Sequence, residues 1–175
     1  LTAVLFLSLF TVSNAQKTKA IKCGYLLDVR TGTLLVNKVI FIRDNKVESI
    51  SDASLFKQRA DTVIDLSGYY VMPGLIDCHT HVLLQGDITS EDYDVQILKE
   101  SIPYRTIRAT QSAYQSLMNG FTTIRDLGTE GAGFADVDIK KAIIKGVIPG
   151  PRMFVSTLAI NTTGHYPISE KEYAW

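Results

Sequence analysis

Pro73-Gly74-Leu75-Ile76-Asp77-Cys78-His79-Thr80-His81 is the stretch on which the fold turns. A Pro-Gly break opens it, an apolar strand start follows, and two histidines stand one residue apart at its end. On an extended strand, residues two apart share a face and lie ~6.6 Å apart. Both imidazoles therefore lean to one side while Thr80 faces away. Rings so placed can converge on one ion at the ~2.0–2.1 Å of a zinc–nitrogen bond. A bare His-x-His is weak evidence, because two histidines on a half-exposed strand satisfy it equally well. Its setting adds weight, and the pair takes two of the three histidines in the chain.

Downstream of this strand, read as Leu75 to His81, the pattern alternates. Ile102 to Met118 reads as a helix with Ser101 as N-cap and with Ile107, Tyr114, Leu117 and Met118 at helical spacing; Asn119-Gly120 ends it. Phe121 to Asp126 is a second strand and Phe134 to Lys145 a second helix closed by Gly146. Met153 to Thr157 is a third strand, reached through Pro149-Gly150-Pro151. Repeated βα units imply a parallel sheet, and in barrels of this kind active sites lie where strands end, which is where His79 and His81 fall. A closed (β/α)₈ barrel needs ~250 residues, so residues 73–175 hold three of its eight strands. The chain reads as an N-terminal fragment.

Upstream, residues 16–72 read as a small β module of sandwich type, with strands at Ile21 to Asp28, Leu34 to Arg43, Lys46 to Ser51 and Thr62 to Leu66, and a short helix at Ala53 to Ala60. Residues 1–15 read as an export signal lacking its basic start. Leu1 to Val12 is free of charge, and Ser13-Asn14-Ala15 suits cleavage before Gln16. The apolar run falls short of the ~20 residues that span a bilayer, so no stable membrane anchor is expected and the mature protein is periplasmic or secreted.

Lys+Arg and Asp+Glu both total 18 in 175 residues. The zero net charge leaves no single-sign field to attract nucleic acid or an acidic membrane. Cys23 and Cys78 are too few for a disulfide scaffold; a bridge between them is poorly motivated, since they fall in separate layers, and they read as two buried small apolar residues.

With these segments in place, the run PGLIDCHTH resembles the first-strand metal signature of the amidohydrolase superfamily, which is preceded by a small β module. Gly120-Phe121-Thr122-Thr123-Ile124-Arg125-Asp126-Leu127-Gly128 and Ile148-Pro149-Gly150-Pro151-Arg152 resemble the openings of the second and third barrel strands in its imidazolonepropionase-like and Xaa-Pro dipeptidase-like branch. The resemblance covers the chain after the signal. It implies hydrolysis of a C–N bond by water activated on one or two Zn²⁺ ions, or other divalent metals, with His79 and His81 as ligands. It also implies a carboxylated lysine, two later histidines and a proton-moving aspartate, all beyond residue 175. Small dipeptides or N-acyl amino acids are the implied substrates, and a homo-oligomer is compatible with the sequence. Two imidazoles leave zinc one protein ligand short of an open catalytic site, so residues 16–175 alone are expected to bind metal weakly and not to turn over.

Other residues have plainer readings. His165, in the Gly164-His165 step after the third strand, either grips a substrate carbonyl or carboxylate or bonds backbone. Asp126, at the end of the second strand, either faces the metal pocket or is structural, taking N–H bonds from the Leu127-Gly128 turn or pairing with Arg125; the structural reading is preferred. Asp77 reads as orienting the loop at its strand. The Gly128, Gly131, Gly133 cluster lacks a phosphate-loop order and reads as a βα loop. Tyr104, Tyr114 and Phe121 read as core packing. Two other functions compete: a secreted, non-catalytic binding protein on the same scaffold, and cyclic-amidase or deaminase chemistry at the same histidine pair.

Overall fold

A computed structural model of the chain describes residues 17–85 and 93–160, with Asp94 described by its backbone alone. The expected signal segment and His165 lie outside the described residues. The chain divides into two compact units, Leu1–Pro73 and Gly74–Trp175.

In the first unit, β1 (Thr18–Asp28), β2 (Thr33–Arg43), β3 (Lys46–Asp52) and β4 (Thr62–Val71) form one sheet in the order β3-β2-β1-β4. Only the β1–β4 pair is parallel. The described residues thus hold one mixed sheet rather than the two packed sheets of a sandwich. The apolar face gathers around Ala20, Val39 and Phe41, with Phe56 and Ala60 packed over them. That packing replaces the short helix expected at Ala53 to Ala60: a turn closes from Leu55 N to Asp52 O, and the following residues run irregularly across the sheet. β4 extends past Leu66 because a bulge opposite Cys23/Tyr25 absorbs extra residues. There the Ser67 carbonyl lies against Gly24, where any Cβ would collide with it.

The second unit is α/β. β5 (Leu75–Thr80), β6 (Phe121–Asp126) and β7 (Arg152–Val155) form a parallel sheet in that order. α1 (Tyr93–Leu98), which the sequence pattern missed, precedes α2 (Ile102–Met118), and α3 (Ala135–Ile144) links β6 to β7. Ser101 caps α2 by accepting the Tyr104 N–H at 3.4 Å, and α3 is followed by Gly146 at φ 69. Ile124, Met153, Ala109, Ala135 and Ile139 build the core with Val82 and Leu83.

Several side chains lie elsewhere than expected. α2 buries Arg105, Ala109 and Ala113, not the predicted stripe; Ile107 is 70% and Met118 66% exposed. The small alanines let the helix approach the sheet closely, and that approach decides which face turns inward. Tyr104 is exposed and stacks under the Arg108 guanidinium at 5.2 Å, whereas Phe121 does pack on the core. Cys23 is buried but Cys78 is exposed, because β5 pairs only with β6 among the described residues; both thiols are free. No helix among the described residues is long and apolar enough to cross a membrane.

Candidate metal centre at the end of the parallel sheet

β5, β6 and β7 run in parallel, so their carboxyl ends share one edge, and the candidate residues lie along it. The β5–β6 register is not regular there. Asp77 pairs with Ile124 and Thr80 with Asp126, leaving β5 one residue longer than its partner over this step. This is a bulge at Cys78-His79, a device that re-aims side chains near sites. The Asp77 carboxylate accepts the His79 N–H at 3.0 Å, giving that amide a partner within the bulge. The reading of Asp77 as an orienting group therefore has a defined contact.

The strand ends one residue sooner than expected. Leu127 N donates to Thr80 O at 2.9 Å, and the His81 carbonyl already accepts a turn bond from Leu84 N at 3.1 Å. His81 is thus the first residue of the loop. Bulge and strand end together leave the His79 and His81 rings with centroids 5.4 Å apart and planes inclined at 64°. His79 is exposed and His81 half-buried. A cleft of about 510 Å³ with mixed polar and apolar walls opens beside His81, lined also by Asp77, Leu84, Gln85, Ser112 and Phe121.

His81 Nδ1 lies 3.0 Å from the Gly128 carbonyl oxygen and 3.3 Å from Glu130 Oε1. Both neighbours are acceptors, so the neutral ring carries its proton on Nδ1 and keeps its lone pair on Nε2. A histidine that donates one ring N–H to a carbonyl or carboxylate and offers the other nitrogen is the usual arrangement of a metal ligand. The donor set, two imidazoles without thiolate, suits zinc or a similar divalent ion. The residues present therefore fit such an ion as part of its shell. Among the described residues no group of three His, Cys, Asp or Glu is placed to hold a metal.

Asp126, at the end of β6, is fully buried. Its Oδ1 accepts the Gly128 N–H at 3.3 Å, in keeping with the structural reading, and it makes no ion pair with Arg125. Its Oδ2 has no hydrogen-bond partner among the described residues. Burial, with the nearby Asp136 charge adding to it, pushes its carboxyl up to about 6, against the pull of the Gly128 N–H and of His81.

Sequence reasoning missed what surrounds His81. Arg105, on α2, is buried, with no carboxylate paired to it among the described residues; it donates to the Leu83 carbonyl (3.1 Å) and to the Thr129 and Glu130 carbonyls (3.2 and 2.9 Å). It thereby ties the loop after β5 to the loop after β6. Desolvation holds its guanidinium below the ordinary arginine range. Glu130 also accepts the Tyr93 hydroxyl at 2.8 Å. The signal that would have found Glu130 is a lone carboxylate inside the glycine-rich loop that follows the second strand.

Comparison with known proteins identifies the family of the chain. The amidohydrolase family matches residues 70–174. The imidazolonepropionase of Acidiphilium cryptum is 27% identical over 127 residues, 67% of this chain and 31% of that protein. The ochratoxinase of Aspergillus niger is 33% identical over 96 residues, 54% of this chain and 18% of that protein. Among solved structures, a Xaa-Pro dipeptidase with methionine bound in its active site superposes with a TM-score of 0.76 at 29% identity, over 89% of this chain and 37% of that one. A prolidase complexed with N-methylphosphonate-L-proline gives 0.68 at 28% identity, over 81% and 32%. The chain thus spans 18–37% of the length of these relatives. The family match covers well over half of the sequence and includes β5, β6 and β7, and the chain belongs to the amidohydrolase family.

Proposed function

We propose that the whole protein is an exported, metal-dependent hydrolase of amide or peptide-like C–N bonds, and that His79 and His81 supply two ligands to its zinc. Residues 1–15 are its signal peptide, residues 16–72 its small β domain, and residues 73–175 the first three strands of its (β/α)₈ barrel. The observation that carries the reading is the approach of the two rings, 5.4 Å between centroids, at the carboxyl end of a parallel strand. The relatives add direction: an imidazolonepropionase, an ochratoxinase and a Xaa-Pro dipeptidase favour a small substrate of the dipeptide or N-acyl amino acid class.

His79 and His81 would hold a divalent ion here, which would make hydroxide available near neutral pH and polarise the scissile carbonyl. The chain's own part is to hold and orient. His79 is set by the bulge and by Asp77. His81 presents Nε2 because Nδ1 is committed to the Gly128 carbonyl. In the reaction the carbonyl carbon gains oxygen, the C–N bond breaks, and the departing nitrogen takes a proton. The family resemblance implies a proton-moving aspartate at the last barrel strand, and His165 is a candidate for the substrate's carbonyl or carboxylate.

The test uses the full-length protein with a panel of Xaa-Pro dipeptides and N-acyl amino acids. Hydrolysis is expected to vanish on chelation and return with zinc, and His79→Ala or His81→Ala is expected to lower kcat/KM by at least about a hundredfold. Undiminished hydrolysis by chelated protein, or by both variants, contradicts the reading.

A further inference from the structure

We propose that Glu130 is a positioning residue for His81, a largely shielded carboxylate that fixes the ring and strengthens its Nε2 as a donor to the cation. The inference rests on the proposed role of His81 as a ligand. Glu130 lies in the left-handed region at φ 51, which a residue with a side chain adopts only where its surroundings hold it.

Three contacts do so. Its carbonyl takes the buried Arg105 Nη2 at 2.9 Å, and the neighbouring Thr129 carbonyl takes the same nitrogen at 3.2 Å. Its Oε2 takes the Tyr93 hydroxyl at 2.8 Å. With backbone and one oxygen committed, the other oxygen, Oε1, is left 3.3 Å from His81 Nδ1, and the side chain is only 11% exposed.

A surface carboxylate gains little from such a pair, since water screens it. This one is mostly shielded, so its charge acts on the ring at close range. It lies within ion-pair distance of the nitrogen that already donates to Gly128 O, so that it acts on the ring through its charge beside a hydrogen bond made to the carbonyl. Negative charge there raises the electron density of the imidazole and hence its strength as a ligand through Nε2. The βα loop after the second strand thus works on a ligand of the first.

The experiment compares zinc affinity of full-length wild type, Glu130→Gln and His81→Ala by competition with a chromophoric chelator. Visible spectra of the cobalt-loaded proteins and melting temperatures of the metal-free proteins complete the set. Glu130→Gln keeps an acceptor oxygen but removes the charge. It is expected to lower zinc affinity roughly tenfold and to shift the cobalt ligand-field bands, with the metal-free melting temperature unchanged. His81→Ala is expected to lose far more. Wild-type affinity and spectrum in Glu130→Gln, alongside a large loss in His81→Ala, overturns the role of Glu130 and leaves the ligand reading intact. Wild-type affinity in His81→Ala overturns both. Should Glu130→Gln fail to fold, Glu130→Asp decides by the same measurement. Its shortened side chain withdraws the carboxylate from Nδ1, and undiminished affinity overturns the proposal.

Discussion

The Asp77 carboxylate accepts the His79 amide at 3.0 Å in the step where β5 carries one residue more than β6. Irregular backbone is thereby made compatible with a fixed histidine. Asp77→Ala is expected to cost about 1 kcal/mol of stability and to weaken zinc binding, whereas Asp77→Asn, which keeps an acceptor oxygen, stays near wild type. Urea denaturation and chelator competition read both effects. Equal losses in the two variants would show that the hydrogen bond is not what matters.

Arg105 is a buried cation whose guanidinium serves three carbonyls on two loops. Arg105→Met removes those donors and leaves the Leu83, Thr129 and Glu130 oxygens short of partners. Such a loss is expected to destabilise the protein by about 3 kcal/mol or more, visible as a lowered urea midpoint. A shift below about 1 kcal/mol would mean that water replaces the guanidinium at little cost.

Asp126 ionises near pH 4 in the unfolded chain but only at about 6 when folded. Between these values the folded state binds the extra proton, so this group's contribution to stability is full below about pH 4 and is lost as pH rises through about 6. Asparagine does not ionise. Metal-free Asp126→Asn is therefore expected to be more stable than wild type at pH 7.5, by up to about 3 kcal/mol, with the gap closing toward pH 4. Thermal melts across that range test it, and a gap independent of pH refutes it.

Much of the second unit was legible because its signals are local. The bounds of α2 follow from Ser101 and Asn119-Gly120, and the start of β6 follows from the same Asn-Gly stop. What escaped depends on tertiary approach. Two-residue alternation says nothing about a bulge, so the route by which His79 and His81 meet differs from the straight strand expected, although both rings were placed on one side. Helical periodicity marked Ile107 and Met118 as inward, yet Ala109 and Ala113 permit the closer contact and win the buried face. Arg105 and Glu130 carry no pattern of their own. Their roles arise only when two loops distant in sequence come together, and no single window of sequence contains that event.

Anomalous scattering at the zinc edge from crystals of the full-length, zinc-loaded protein tests the histidine pair most directly. A peak is expected within ~2.0–2.1 Å of a nitrogen of both His79 and His81, at Nε2 in the case of His81. A bound ion elsewhere, with the two rings turned from it, would contradict the account.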